Sequence, residues 1–173
     1  MWQQSSDSHV REVFRRVIRI LSDSEDGHLA ALQFTLFLRH ITPAKPDESS
    51  TILGQPVNAA PQPIGTALIV SAPSCDSFTI AENVAAALAA RNCVELALFE
   101  HPAPDVAALI RALQHVLPEG VFTVLSERTG WGGRGPDTAI IILTPDRALL
   151  NDRPWVSSRP KSSQQAMVSF YSR

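Results

Sequence analysis

The residues best equipped for chemistry sit in one short run: Ser74, Cys75, Asp76, Ser77, Phe78 and Thr79. A loop that grips phosphate needs glycines, so that its N–H groups can wrap the oxygens. It also needs a lysine against the β/γ charge and a Ser or Thr hydroxyl for magnesium. This run has hydroxyls but neither glycine nor lysine. Cys75, at the expected start of a helix, has one route to a lowered pKa. A phosphatase-type loop would also want an arginine five positions on, where the chain has Ile80. His101 follows the next apolar run, with only Glu100 and Asp105 as nearby carboxylates. The five histidines, His9, His28, His40, His101 and His115, lack metal-ligand spacing, so no metal is expected. A second candidate is Arg128-Thr129-Gly130-Trp131-Gly132-Gly133-Arg134-Gly135. Such a loop can grip an anion or a partner; the plainer reading, preferred here, is a flexible connection whose Trp131 folds onto the body. Arg134 is the one residue in it that could bring charge to a bound phosphate.

The elements that must position these residues form a βαβ unit from Thr66 to about Pro104. TALIVSAP reads as a buried strand, FTIAENVAAALAARN as a helix and CVELALFEHP as a second strand. Val106, Leu109, Ile110, Leu113, Val116 and Leu117 mark an amphipathic helix over 104–117, closed by Pro118 and Gly120. VFTVLSE (121–127) is a third strand and TAIIILTP (138–145) a fourth, apolar throughout and therefore central. Residues 146–155 read as a helical turn. The expected fold is α/β, a mainly parallel Rossmann-like or P-loop-like sheet of about four or more strands.

Two helices precede it. Val10, Val13, Phe14, Val17, Ile18 and Leu21 are spaced for the first, and Asp26 is the expected N-cap of the second, near Gly27 to His40. With Leu29, Leu32, Phe34, Leu36 and Phe37, the second is apolar on more than one side. One neighbouring helix cannot cover it, so Leu29, Leu32, Phe34 and Phe37, with Trp131, are the expected partner-binding residues. Residues 42–65 hold five prolines and little periodicity. The expected organisation is a helix hairpin over 1–42, a proline-rich linker over 43–65, an α/β body over 66–155 and a serine-rich tail over 156–173.

The chain has 173 residues, 45% hydrophobic and 18% charged, with a formal charge of −2. That balance supports a real core and lacks the basic face of a nucleic-acid binder. No apolar run reaches the 18 residues of a membrane span. Cys75 and Cys93 should lie at opposite ends of one helix, roughly 20 Å apart, too far for a disulfide. These features point to a reducing cytoplasm.

The run T-I-A-E-N-V-A-A-A-L-A, with Thr79, Ala81, Asn83, Ala85, Leu88 and Ala89 in register, resembles the segment after the phosphate loop of the ParA/MinD class of P-loop ATPases. It also resembles the cytoplasmic domains of the bacterial tyrosine kinases that accompany polysaccharide export. Asp76 then stands at the family's glycine, Ser77 at its lysine and Phe78 at its magnesium hydroxyl. C-V-E-L-A-L-F-E-H-P is similar to the family's second strand, with Phe99 or Glu100 at its aspartate. P-D-T-A-I-I-I-L-T-P-D is similar to a later strand, with Leu143 at the aspartate that addresses magnesium. The match covers about 80 residues in the family's order.

What the resemblance implies is a pseudo-ATPase. Phosphoryl transfer is mostly positioning and charge neutralisation, and the lysine and both magnesium positions are gone. No cofactor is expected. The function expected is non-catalytic: a cytoplasmic regulatory or adaptor protein that binds a protein of a bacterial export, polysaccharide or partition system, or a second copy of itself, through the N-terminal helices. The alternative is a small nucleotide-binding enzyme that uses loops 71–78 and 128–135 together, with Ser74, Asp76, Ser77, Thr79 and Arg134 as its ligand set. Tyr171, the sole tyrosine, is read as an ordinary terminal residue.

Overall fold

The computed structural model describes residues 2–41, 51–52, 55–56, 62–73, 75–125, 134–145, 148–150, 153–155 and 164–172. After a 3-10 turn at Trp2–Gln4, helix α1 (Asp7–Ser22) is capped by Ser6, whose Oγ accepts the His9 N–H at 3.3 Å. Its apolar stripe of Val10, Val13, Phe14, Val17 and Leu21 is buried. Helix α2 (His28–Leu38) follows after a short bend. Asp26 does not cap it. Gly27 holds that position with no side-chain bond, because a Cβ there would lie 2.1 Å from the Leu21 carbonyl oxygen. The close approach of the two helices takes the cap position away from every residue but glycine. Phe14 and Phe34 then meet with ring centroids 4.9 Å apart.

The sequence sets these helices apart from the α/β body. In the structure, α2 packs along α3 (Ser77–Ala89), α1 packs on α4 (Pro104–Val116), and all four helices share one continuous core. Helix α3 therefore has neighbours on several sides, which explains its alanines. Ala81, Ala85, Ala86 and Ala87 have no exposed surface, and only small side chains let the flanking layers close to native density. Phe34 and Phe37, expected to face a partner, lie fully inside this core. Most of the expected linker over 43–65 lies outside the described residues; within it, β1 (Thr51–Ile52) pairs antiparallel with β2 (Gln55–Pro56).

The main sheet is formed by β3 (Thr66–Ser71), β4 (Cys93–Leu98), β5 (Phe122–Leu125), β6 (Thr138–Leu143), β7 (Ala148–Leu150) and β8 (Arg153–Trp155). Their spatial order is β5-β4-β3-β6-β7-β8. The first four are mutually parallel and lie in the order 3-2-1-4, so the sheet is Rossmann-like. The helical turn expected over 146–155 is instead the antiparallel pair β7–β8, which extends the sheet from β6. Alternation along the strands sorts the two faces. Ala67, Ile69, Val94, Leu96, Ala139 and Ile141 join the helices' core, while Leu68, Val70 and Ala97 form a small cluster on the opposite face.

Two junctions close the body. Helix α3 ends in a Schellman turn: Asn92 N–H bonds Ala87 O, Arg91 N–H bonds Leu88 O, and Arg91 takes φ 63° where glycine is usual. Arg91 also pairs with Asp7, which ties α1 to that turn. The second junction is Gly65, whose N–H donates to Asn92 Oδ1 at 3.0 Å. Gly65 has φ 132°, and a Cβ on it would lie 2.4 Å from Asp137 O. Gly65→Ala is expected to destabilise the protein by about 2–3 kcal/mol. A chemical-denaturation midpoint unchanged from wild type would contradict this.

The expected serine-rich tail contains α5 (Gln164–Phe170), packed on α3. Tyr171 is fully buried, and Ser172 bridges to Pro63. Tyr171 is thus a core residue. Burial, and secondarily the charge of Glu82, push its phenol well above the usual value of 10.

Candidate functional site

Strands β3 and β4 end side by side, Ser71 opposite Leu98. Their following loops and the first turns of α3 and α4 enclose a crevice of about 260 Å³. This is the end of a parallel sheet at which such folds bind ligands. Its polar lining includes Ser71, Cys75, Asp76, Ser77, Glu100, His101 and Asp105; Ile80, Leu98, Phe99 and Val106 supply apolar walls.

Each chemistry-bearing residue has a definite task there. Asp76 is the N-cap of α3, and its Oδ1 accepts the Thr79 N–H at 2.7 Å. The carboxylate thus takes up a helix N–H that a phosphate would otherwise meet. Ser77 is the first helical residue, Phe78 is half-buried, and Thr79 is buried away from the crevice lining. Ser74 lies outside the described residues. The loop is pinned to β6, with Ala72 N–H donating to Leu143 O at 2.9 Å and Cys75 Sγ to Thr144 O at 3.9 Å. Leu143, at the position of the magnesium carboxylate in the resembled family, has no exposed surface.

Burial raises the Cys75 thiol pKa, the Ser71 hydrogen bond opposes that, and the Asp76 charge adds to it. The thiol is therefore held away from its nucleophilic form. On the other side, Asp105 Oδ1 accepts the Val106 N–H at 2.8 Å in the first turn of α4. Glu100 and His101 are exposed at the rim. Three carboxylates and one imidazole line the crevice, and among the described residues no lysine or arginine does. Among the described residues no cluster of His, Cys, Asp and Glu could hold a metal ion.

Arg134 does not reach this site. It forms an ion pair with Glu95, which sits in register with Leu68 and Ile140 on the sheet face opposite the helices. Ser71 is three residues further along β3, about 10 Å away. Arg134 precedes β6 at the sheet's other end, so chain direction alone separates it from a loop that follows β3. Trp131 lies outside the described residues. Of the remaining partner candidates, Leu29 and Leu32 are 51% and 50% exposed, one helical turn apart on α2.

Two features had no strong sequence signal. One is an open groove of about 300 Å³ between α1 and α4, lined by Ile20, Ser24, Ala108, Arg111, Ala112 and His115. The other is the buried trio Asn83, Asn92 and Tyr171. Its only trace in sequence is a polar residue, Asn83, inside an alanine run.

No protein-family model matches the chain, and no curated protein matches it. Among solved structures, the chain is similar to an oxidoreductase from Marinobacter aquaeolei, with 23% sequence identity, a TM-score of 0.36 and 72% of this chain covered. The match spans only 28% of that protein's length, and a likeness this loose carries no argument about activity.

Proposed function

We propose that this chain is a non-catalytic regulatory or adaptor protein, a pseudo-ATPase on a Rossmann-like body, and that it acts by binding another protein. The observation that carries the reading is the Asp76 cap on α3. A helix N-terminus attracts phosphate through free N–H groups and roughly half a positive charge. Here a carboxylate occupies one of those donors, and among the described residues no cation lines the crevice to offset it. At about 4 Å a like-charge pair costs about 1 kcal/mol in water and 4 kcal/mol at an effective dielectric of 20. Asp76 is exposed, so the lower figure applies to each phosphate charge. Several such pairs, with no lysine and no magnesium ligand, outweigh the helix terminus. The partner surface in this reading is the outward side of α2 at Leu29 and Leu32. The partner itself is a protein of a bacterial export or partition system, the setting implied by the resemblance.

Calorimetric titration of Mg·ATP and Mg·ADP tests the nucleotide half. No binding is expected below about 1 mM, and the double substitution Asp76→Gly/Ser77→Lys is expected to gain measurable affinity. Micromolar binding by the unmodified protein would overturn the reading.

A further inference from the structure

Three hydrogen bonds connect the last residues of the chain to the rim of the crevice. Tyr171, fully buried, donates its hydroxyl to Asn83 Oδ1 at 2.9 Å. Asn83, also fully buried, donates Nδ2 to the Thr79 carbonyl at 2.9 Å. The Thr79 N–H is the group held by Asp76. Asn92 adds a second hold, donating Nδ2 to Tyr171 O at 2.8 Å. Helix α5 and Tyr171 thus form a strap across α3, held at two polar points, Asn83 and Asn92.

The anchor has an alternative built beside it. Thr79 Oγ1 is buried and has no hydrogen-bond partner among the described residues. It lies one helical turn before Asn83, the spacing at which side chains meet. A buried hydroxyl left unpaired costs free energy, so it is a ready donor to the Asn83 amide once Tyr171 withdraws. Asn83 accepts from Tyr171 through its oxygen and holds the Thr79 carbonyl through its nitrogen. With Tyr171 gone, the amide can rotate toward the Thr79 hydroxyl, and the carbonyl keeps only its helical partner, the Asn83 N–H.

We propose that the C-terminal strap is a latch. Docked through Tyr171, it fixes the first turn of α3 and with it the crevice wall that leaves Cys75 only partly exposed. Released, it frees Asn83 to turn to Thr79, loosens the turn that Asp76 caps and exposes Cys75 further. The two cysteines report on this separately, because Cys75 lines the crevice and Cys93 begins β4 beyond the opposite end of α3.

The test is the rate of iodoacetamide labelling at each cysteine in the folded full chain, resolved by mass spectrometry. Tyr171→Phe keeps the ring and the main-chain carbonyl and removes only the hydroxyl. Cys75 labelling is expected to rise about tenfold, the effect of losing one buried hydrogen bond, with Cys93 unchanged. An equal rise at both cysteines would mean general destabilisation and overturn the latch, as would no rise at Cys75. If Tyr171→Phe does not fold, hydrogen exchange on the unmodified chain decides. Amides of Thr79 and Tyr171 exchanging through one shared opening below global unfolding support the latch. Thr79 exchanging only with core amides such as Leu96 overturns it.

Discussion

A chain that begins at Gln62 is expected to lose its cooperative thermal transition. Helix α3 is the middle layer of the molecule, and α2 is one of the surfaces that bury it. Removing residues 1–61 takes away Phe14, Phe34 and Phe37, each with no exposed surface, and the aliphatic residues around them. Deleting one buried phenylalanine side chain costs about 3–5 kcal/mol, and domains of this size are stable by about 5–15 kcal/mol in all. Three such losses together consume that margin before any smaller contact is counted. The uncovered face of α3 would be alanine-rich and apolar, so a collapsed state that binds a hydrophobic dye is expected in place of a native one. The check is a melt followed by near-ultraviolet circular dichroism on the truncated chain. A sharp transition within a few degrees of wild type would mean that the α/β part holds itself together.

The sequence argues the opposite, and the reason is instructive. Proline-rich composition over 43–65 is a sound signal of irregular backbone. It carries no information about whether the segments on either side touch. The helices' own pattern does carry some. Helix α2 is too apolar to be covered by α1 alone, and that excess surface belongs to α3. The alanines of α3 are the complementary half of the same message: a helix with one exposed side has no need of Ala81, Ala85, Ala86 and Ala87 together. The parallel strands were legible because each is a short apolar run bounded by turn residues, and the βαβ order fixes their direction. Strands β7 and β8 were not, since a few residues with an internal Asn-Asp and a proline resemble a broken helix as much as a ribbon. In the candidate site, the loop residues were found by type alone. The latch was missed because it joins Asn83 to Tyr171 across 88 positions, a separation at which sequence pattern is silent.

Substituting the two kinds of apolar residue on α2 should separate packing from recognition. Phe34→Glu is expected to unfold the protein. The site has no exposed surface, so the change removes the phenylalanine's burial, about 3–5 kcal/mol, and places a carboxylate among Phe14 and its aliphatic neighbours. Even with the carboxyl protonated, the buried polar group adds to the loss, and the sum reaches the whole stability of an ordinary domain. Leu29→Glu and Leu32→Glu are expected to move the unfolding free energy by no more than about 0.5 kcal/mol, because half of each side chain already faces water. The same two substitutions bear on the proposed partner surface. A glutamate at either place sets a charge in the middle of an apolar contact, so capture of the partner, or self-association seen by light scattering, should fall at least tenfold while the melt stays in place. A folded Phe34→Glu would refute the packing of α2 on the core. Undiminished association in Leu29→Glu/Leu32→Glu would move the partner surface off α2.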